Sequence, residues 1–386
     1  MRVLTLLDAY RLGGAETLIA QLARVSAGAG LELSVLSLHG PSEVNSRLAP
    51  LLEQVGVTPH YLGVTRTLDV PAFRRLVRWI ADAQVDVVHA HLEMSMTMGV
   101  PAGRLAGVPV VSTFHHVHRT LTGRASARER LAVEVATRGA ATLFVSQASL
   151  DSFAERYRPG RPVPGSWRVV HNGIDVDYFA PAPGPDRPAF PADLGLEGRP
   201  VVTVLAALRD FKGIRHAVAA WPEVVARYPE ARLLLVGSGP EEPALRSQVA
   251  AAGLTGSVVF AGMRSDVPEV LRASDVVLLP SIHGENLPTV LMEAGACGRP
   301  VVASDVGGIS DIVADGETGL LVPPGSVPGV AAAVLRLLDD PALAARMGAA
   351  GRRRVEERFD ARRWAGHLRE VYEEAVQSPR PVAVTR

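Results

Sequence analysis

Residues 279–308 read LPSIHGENLPTVLMEAGACGRPVVASDVGG, and this stretch decides the predicted fold. It begins where an apolar strand pattern, Asp275 to Leu279, is broken by Pro280. After a polar turn, apolar residues recur at helical spacing until Gly298 stops the helix. A second apolar run, Pro300 to Ala303, follows. This order of strand, loop, helix, loop and strand is the unit of a parallel, doubly wound α/β sheet.

Two carboxylates in this stretch, Glu285 and Glu293, are candidate ligand contacts. Glu285 lies in the loop before the helix, where free backbone N–H groups and the helix dipole favour an anion such as a phosphate. Glu293 lies about two helical turns further on, within reach of the same crevice. Because a carboxylate only accepts hydrogen bonds, it suits the vicinal hydroxyls of a ribose better than a phosphate.

The stretch from Pro280 to Gly308 resembles the fourth glycosyltransferase family, the retaining group with the GT-B fold and a Glu-x7-Glu motif. In that family the first Glu contacts the donor sugar and the second contacts the nucleotide ribose, so the resemblance gives these roles to Glu285 and Glu293. The alternative, two ordinary surface carboxylates, does not explain the match of the whole stretch. The resemblance also places three neighbours in the donor site, namely Asn286 (Gly in many members), Leu287 and Thr289.

Length and charge indicate a two-domain globular protein. The chain has 386 residues, and its 40 basic and 40 acidic residues balance, which gives no indication of a nucleic acid partner. Asp8 interrupts the first apolar run, so no signal peptide is expected. No apolar stretch reaches the roughly 20 residues of a membrane-spanning helix. The single cysteine, Cys297, cannot form an internal disulfide, which fits a cytoplasmic location.

The first half of the chain alternates apolar strands with helical patterns, as in a parallel sheet covered by helices. Between the first strand and its helix, Gly13 and Gly14 let the backbone approach a ligand closely. The resemblance implies that this turn lies against the donor diphosphate and the reaction centre. The strands are predicted at Val3 to Leu7, Leu33 to Leu38, Val85 to His89, Pro109 to Thr113 and Thr142 to Val145.

Four histidines, His89, His91, His115 and His116, lie at or just past the predicted strand ends, where such sheets bind ligands. A metal cluster is not favoured, because no carboxylate or cysteine accompanies them at ligand spacing. The run from Thr113 to His115 is similar to the family's Thr-x-His, in which the His borders the donor sugar. His115 is therefore the candidate for the reaction centre.

Two basic segments are predicted on the first domain. Residues 116–130, HVHRTLTGRASARER, are predicted to form a flexible loop over the crevice. The second segment is the helix from Phe73 to Ile80, with Arg74, Arg75, Arg78 and Trp79. In this Arg-rich chain such segments are either solvated faces or contacts to an anionic membrane.

The second half contains the chain's single lysine, Lys212. Basic groups near a helix start suit a diphosphate leaving group, whose charge grows in the transition state. The family pattern, Gly-Arg-Leu-x-x-x-Lys-Gly, matches at Lys212, but Ala207 occupies the usual Arg position and Arg209 follows two residues later. Either Arg209 reaches the diphosphate from there, or the contact relies on Lys212 and backbone donors.

Two further loops are expected near the nucleotide. The run Gly237 to Glu242 lacks the last glycine of a dinucleotide fingerprint, which argues against a nicotinamide site. The resemblance implies that Gly237 lies close to the nucleotide and that backbone groups near Met263 contact the base. Asp175-Val176-Asp177 matches an Asp-x-Asp metal signature, but the match is short and lies in a hinge-side turn of the family. No metal is therefore predicted.

The domain prediction has five segments. These are an acceptor-side Rossmann-like domain at 1–180, a Pro-rich linker at 181–200, a nucleotide-sugar-binding Rossmann-like domain at 201–360, a helix at 361–376 packing back on the first domain, and a disordered tail at 377–386. Apolar residues from Gly351 to Ala375 predict a helical stripe. The resemblance implies the GT-B fold, with two doubly wound domains facing across a cleft.

The predicted activity is retaining transfer of a sugar from a nucleoside diphosphate sugar to an acceptor hydroxyl, with no cofactor. A UDP-sugar is favoured and GDP-mannose is the second option. The acceptor is a glycan, a lipid-linked sugar or a small molecule, which places the enzyme in cell-envelope, glycolipid or natural-product biosynthesis. A lipid acceptor would bring peripheral contact with the inner membrane face. The sequence does not indicate the oligomeric state.

The sequence bears on three alternatives to this activity. A phosphorylase of the same fold needs a lysine for pyridoxal phosphate, and the only lysine belongs to the diphosphate turn. A sugar-nucleotide epimerase would convert the donor without any acceptor. A protein that only binds sugar nucleotides is disfavoured because His115 and Glu285 are both present.

Overall fold

The computed structural model describes residues 1–11, 14–66, 69–118, 122–184 and 188–378, without the side chains of residues 14–16. The chain divides into two compact units, Met1–Ile174 together with Ala361–Arg386, and Asp175–Asp360. The first unit thus ends at Ile174, and the linker predicted at 181–200 groups with the second unit. Gly13, residues 185–187 of that linker and residues 379–386 of the predicted tail lie outside the described residues.

The first unit contains a parallel sheet of seven strands in the order β3-β2-β1-β4-β5-β6-β7. The strands are β1 (Arg2–Leu7), β2 (Glu32–Ser37), β3 (Pro59–Tyr61), β4 (Val87–His91), β5 (Val110–Phe114), β6 (Ala141–Phe144) and β7 (Trp167–Val169). The helices between them are α1 (Gly14–Ser26), α2 (Ala49–Gln54), α3 (Val70–Asp82), α4 (Glu93–Ala106), α5 (Gly123–Ala136) and α6 (Gln147–Tyr157).

The second unit repeats this design with six parallel strands in the order β10-β9-β8-β11-β12-β13. The strands are β8 (Val201–Leu205), β9 (Arg232–Val236), β10 (Val258–Gly262), β11 (Val276–Leu279), β12 (Val301–Ser304) and β13 (Gly319–Val322). The helices are α7 (Ile214–Arg227), α8 (Glu242–Ala251), α9 (Val267–Ala273), α10 (Thr289–Ala296), α11 (Ile309–Ile312), α12 (Val327–Asp339) and α13 (Pro341–Arg358).

Both sheets confirm the predicted doubly wound α/β fold, and their strand orders show where ligands bind. The order of the strands reverses between β1 and β4 in the first unit and between β8 and β11 in the second. In open α/β sheets the crevice outside the carboxyl ends of the strands at this reversal is the usual ligand site. The loops after β8 and β11, and those after β1 and β4, are therefore the places to look for function.

The last helix, α14 (Ala361–Gln377), belongs to the first unit and completes its core. Trp364, Leu368 and Tyr372 are buried there in one cluster with Leu18 of α1 and Val87 of β4. Such a cluster stabilises the unit because it removes large apolar side chains from water.

One helical stripe from Gly351 to Ala375 was predicted, but the structure has two helices. α13 ends at Arg358, and α14 begins at Ala361. Phe359 is buried with a backbone ψ of 18°, which departs from helical geometry. Ala361 N donates to Ile174 O at 2.8 Å, so the chain enters the first unit here. The apolar residues on the two sides of the break pack in different units, and a single periodic pattern concealed this.

The flexible loop predicted at 116–130 is also wrong in its second part. α5 begins at Gly123, so the residues from there to 130 are helical. Ala, Arg and Glu dominate this part, and all three are strong helix formers, a preference that outweighed the polar, loop-like composition. Residues 119–121 lie outside the described residues. In the part of the chain that the structure describes, no helix is long and apolar enough to cross a membrane.

Candidate active site

Lys212 and Glu285 form a buried ion pair at the strand reversal of the second unit. Lys212 lies in the turn after β8 and Glu285 in the loop after β11, and Nζ lies 2.6 Å from Oε1. The side chains are 18% and 6% exposed, respectively. Ser281 Oγ donates to the same oxygen at 2.5 Å. Within the described ranges Glu285 Oε2 receives no hydrogen bond, which leaves one acceptor for a ligand.

Two glycines allow the surrounding loops to close on this pair. Gly213, next to Lys212, has a φ of +63°, and a Cβ there would lie 2.0 Å from Pro280 O. Gly307, in the loop after β12, has a φ of +59°, and its Cβ would lie 1.8 Å from Glu285 O. Any other residue would clash with backbone at both places, and left-handed φ values favour glycine. The sequence thus builds a tight backbone cradle around Lys212 and Glu285.

Glu293 lies in α10 and is 9% exposed. Burial raises the pKa of Glu293 to about 7, although a hydrogen bond from Thr289 opposes the shift. A carboxyl group with this pKa exchanges its proton near neutral pH and is a candidate for ligand contact. Asn286 and Leu287 are buried in the loop before α10, and Thr289 begins that helix half-buried.

Arg209 and Gly237 are the next candidates in the second unit. Arg209 is exposed and lines a small surface pocket with Arg215 and Glu241. Gly237 N donates to Gly262 O at 2.8 Å, so the loop after β9 is held at the end of β10. The backbone oxygen of Arg209 accepts from Lys212 N at 3.0 Å, but among the described residues no hydrogen bond or ion pair joins the Arg209 side chain to the Lys212–Glu285 pair.

Met263 follows β10 and is 66% exposed. The side chain of Met263 is therefore open to solvent at the carboxyl end of β10, in the sheet of the second unit.

In the first unit, His115 follows β5 and pairs with His91 at the end of β4. His115 Nε2 lies 2.8 Å from His91 Nδ1, and the two rings stack with centroids 5.1 Å apart. Burial and the charge of His116 lower the pKa of His115 to about 3, so the ring is neutral at neutral pH. Among the described residues His115 Nδ1 has no hydrogen-bond partner although it is buried.

His89, two residues before His91 in β4, connects this strand with the last helix, α14. His89 Nδ1 lies 2.6 Å from Tyr372 Oη, and His89 Nε2 lies 2.7 Å from Thr113 Oγ1. Burial lowers the pKa of His89 to about 3. Of the four histidines, His89 is therefore a satisfied core residue, whereas His115 keeps a free ring nitrogen toward its surroundings.

Asp8 is a candidate that the sequence did not indicate. It follows β1 and accepts from Ser95 N at 2.7 Å and from Ser95 Oγ at 2.5 Å, which caps the first turn of α4. Burial raises the pKa of Asp8, while the bonds from Ser95 oppose the shift. Asp8, Arg11, Glu93 and Arg128 line a cavity of about 550 Å³ at the carboxyl ends of the strands. The signal in the sequence that could have indicated Asp8 is its place directly after the first predicted strand, where such sheets bind ligands.

Comparison with known proteins identifies the family. Residues 199–340 match the model of the glycosyl transferases group 1, and residues 12–178 match that of glycosyltransferase family 4. The phosphatidyl-myo-inositol mannosyltransferase of Mycolicibacterium smegmatis is 33% identical over 94% of this chain and 90% of its own length. The chain belongs to the group 1 glycosyltransferases. The 2-deoxystreptamine glucosyltransferase of Streptomyces kanamyceticus is 32% identical to this glycosyltransferase over 84% of this chain and 85% of its own.

Solved structures support the same fold for this glycosyltransferase. The structure of Anabaena Alr3699/HepE in complex with UDP superposes with a TM-score of 0.82 at 24% identity, over 97% of this chain and 100% of that one. Sucrose-phosphate synthase from Thermosynechococcus elongatus superposes with a TM-score of 0.76 at 23% identity, over 97% and 99% of the two chains. The solved structures confirm the predicted GT-B fold, and the family models and the relatives confirm the predicted transferase class.

Proposed function

We propose that this glycosyltransferase transfers a sugar, with retention of anomeric configuration, from a nucleoside diphosphate sugar to an acceptor hydroxyl. The observation that carries the proposal is the buried Lys212–Glu285 pair at the strand reversal of the second unit. A sugar diphosphate needs both a cation for its phosphates and an acceptor for its sugar hydroxyls. This pair offers both at one place.

Lys212 neutralises the diphosphate as it leaves. The negative charge on the leaving group increases in the transition state, and a preorganised cation in a partly buried site stabilises that charge more than it stabilises the substrate. Glu285 accepts hydrogen bonds from the sugar through Oε2, while Ser281 and Lys212 hold Oε1 in place. Arg209, if it takes part, must leave its surface position beside Arg215 and Glu241.

Glu293 binds the ribose. Both ribose hydroxyls can donate a hydrogen bond to one carboxylate. These hydrogen bonds stabilise the charged form of Glu293, which burial disfavours in the free enzyme. Asn286, Leu287 and Thr289 shape the donor pocket between the two glutamates, and the loops at Gly237 and Met263 border the nucleotide. We favour UDP as the nucleotide, with GDP-mannose as the second option. The Anabaena neighbour was solved with UDP and with UDP-glucose, which supports UDP.

His115 serves the acceptor side from the first unit, with the glycine turn at Gly13 and Gly14. Because its pKa is low, the ring is neutral and Nδ1 is able to exchange a hydrogen bond with a sugar hydroxyl. The acceptor binds at the strand reversal of this unit, where Asp8, Arg11 and Arg128 line the cavity. Carboxylate and guanidinium groups together suit a polyhydroxylated ring, either lipid-linked or soluble.

A thermal-shift screen tests the donor. The purified protein is heated with UDP, GDP and ADP and with their sugars, because a ligand at 100 times its dissociation constant stabilises the folded state by about 2.7 kcal/mol. We expect the largest shift with UDP or a UDP-sugar. Proton NMR of the product formed with the best donor then reports the anomeric configuration. An inverted product contradicts the retaining mechanism, and conversion of the donor without an acceptor favours an epimerase.

A further inference from the structure

Glu93, His116 and Glu129 form a cluster in the first unit that the proposed transfer does not use. One side-chain oxygen or nitrogen from each residue lies within 4.8 Å of those of the other two. The residues come from different elements: Glu93 begins α4, His116 follows β5, and Glu129 lies in α5. The spacing in the sequence did not indicate these carboxylates as partners of a histidine, because folding alone brings them together.

Glu129 is held rigidly through one of its two oxygens. Its side chain is 1% exposed, and Oε1 receives the Tyr157 hydroxyl at 2.6 Å and lies 2.5 Å from His118 Nδ1. The other oxygen, Oε2, is buried and receives no hydrogen bond from the residues that the structure describes. It lies 3.6 Å from His116 Nε2, which is too long for a hydrogen bond. A buried carboxylate oxygen without a partner is costly, so this oxygen calls for a ligand.

The charges of the cluster favour a cation. Glu93 and Glu129 are both carboxylates, with ligand atoms within 4.8 Å of one another. Tyr157 and His118 contact only one oxygen of Glu129. Two carboxylates that repel each other are stabilised by a shared positive ion.

Strain in the backbone accompanies the position of Glu93. Leu92, the residue before it, has a φ of +72° and a ψ of 166°, a region that is almost restricted to glycine. Such a conformation costs roughly 1–3 kcal/mol and persists where the surrounding structure requires it. Here it turns the chain out of β4 so that α4 starts at Glu93.

The distance between His116 and Glu129 fits a small transition-metal ion. Zn²⁺ bonds to imidazole nitrogen and carboxylate oxygen at roughly 2.0–2.2 Å, so two ligands of a tetrahedral ion lie about 3.4 Å apart. The His116 Nε2 to Glu129 Oε2 distance of 3.6 Å is close to that value. Hydrogen bonds that orient a ligating carboxylate are also typical of metal sites, and Tyr157 and His118 supply them to Glu129.

We propose that Glu93, His116 and Glu129 bind one divalent transition-metal ion, with Zn²⁺ preferred because the ligands combine imidazole with carboxylates. Three protein ligands leave a fourth position open. Since Glu93 also lines the cavity with Asp8 and Arg11, the ion borders that cavity. This inference does not depend on the proposed function.

Metal binding by the full-length, untagged protein tests the proposal. After dialysis against a chelator, Zn²⁺ is titrated by calorimetry, and Co²⁺ is added in parallel because four-coordinate Co²⁺ has a strong visible absorption. We expect one equivalent of Zn²⁺ to bind. Glu93→Gln and His116→Gln should each weaken Zn²⁺ binding at least about tenfold, and Tyr157→Phe should weaken it roughly 10–100-fold, the usual effect of losing an orienting hydrogen bond.

Glu134→Gln is the matched control, because Glu134 is exposed on the same helix as Glu129. It should bind Zn²⁺ as the wild type does. Glu129→Gln is avoided as the main variant, since Glu129 also holds Tyr157 and His118 and its loss threatens folding. Wild-type protein that binds Zn²⁺ no more tightly than the folded double variant Glu93→Gln/His116→Gln overturns the proposal. In that case His116 and Glu129 lie close together without binding a metal ion.

Discussion

Lys212 Nζ lies 2.6 Å from Glu285 Oε1, although 73 residues separate them in the sequence. The fold creates this contact, because β8 and β11 are neighbours in the sheet and their carboxyl ends deliver the two loops to the same place. The pair is largely buried, so its attraction is less screened by water and salt than that of a surface pair. The predictions below begin from it.

Lys212→Ala should lower turnover by roughly a hundredfold or more, the scale of removing one charge-stabilising donor in a protected site. Steady-state kinetics with a saturating donor measure this. Arg227→Ala is the control, since it removes an exposed cation of the same unit that pairs with Asp339. Unchanged turnover in the folded Lys212→Ala protein removes Lys212 from the reaction.

Glu293→Ala and Glu285→Ala should affect different steps. Loss of the ribose contact weakens the ground state and the transition state alike, so Glu293→Ala should weaken binding of the bare nucleoside diphosphate. Glu285→Ala should leave that affinity nearly intact and lower turnover with the sugar nucleotide. Calorimetry with the nucleotide and kinetics with the donor separate the two effects. Equal nucleotide affinities for wild type and Glu293→Ala refute the ribose assignment.

The contribution of Glu293 to the free energy of unfolding should make the unliganded protein less stable as the pH rises from about 4.5 to about 7. The folded pKa of about 7 lies above the ordinary value of 4.5 for a glutamate, so the folded state holds the proton more tightly than the unfolded state. Below both pKa values there is no penalty, and above both the full penalty applies. Converted at about 1.4 kcal/mol per unit, this penalty is of the order of 3 kcal/mol.

Glu293→Gln removes that penalty, because the amide does not ionise. Urea unfolding should therefore show the variant gaining stability over the wild type at pH 8 but not at pH 4.5. Glu223→Gln, an exposed substitution on α7, should show no such pH dependence. If the difference in unfolding free energy between wild type and Glu293→Gln stays constant with pH, the pKa of Glu293 is not raised.

Tyr372→Phe should destabilise the first unit by about 1–3 kcal/mol. It removes the hydroxyl that lies 2.6 Å from His89 Nδ1 and leaves a fully buried ring nitrogen without its partner. Thermal unfolding measures the loss. Tyr178→Phe, at a side chain 45% exposed, is the control. If the two variants melt alike, the His89 contact contributes little to stability.

If the acceptor is lipid-linked, the arginines on α3 should give salt-sensitive binding to anionic vesicles. Arg74 and Arg78 are exposed on this helix, whereas Arg75 also donates to Leu62 O at 3.1 Å. Each arginine near an anionic surface contributes about 1 kcal/mol, so Arg74→Gln/Arg78→Gln should bind markedly less in a sedimentation assay.

The control for this assay is Arg346→Gln/Arg353→Gln, which changes two exposed arginines of α13. Failure of the wild type to bind anionic vesicles at low salt favours a soluble acceptor.

Local periodicity predicted most strands and the order of elements, because most strands are short runs rich in apolar residues. It did not predict β3 and β7, which have only three residues each and contain His60 and Arg168. Among the predicted strands, the stretch from β11 to β12 is the clearest case, since Pro280, Gly298 and Pro300 mark its turns. The fold was accessible for the same reason. A parallel sheet with helices on both faces is what alternating strands and helices produce.

Long-range contacts were less accessible. The motif match named Lys212 and Glu285 separately, but only the strand order shows that they touch. Glu93 and Glu129 approach His116 from two different helices, so a search for ligands at fixed spacing misses them. Apolar periodicity does not show the break between α13 and α14, because it does not indicate which core a residue joins; the predicted helix at 361–376 came from the family resemblance.

The position of α14 has a consequence for the order in which the protein folds during synthesis. The second unit is one continuous segment, Asp175–Asp360, and its whole sequence is available before α14 is made. The first unit is discontinuous, and the α14 residues of its core, among them Trp364, Leu368 and Tyr372, are synthesised after the rest of that core. Domains usually fold from the N-terminus onward as they leave the ribosome. Here the earlier unit stays incomplete until the later one has been translated, so shortening the chain before α14 disrupts the unit that begins at Met1.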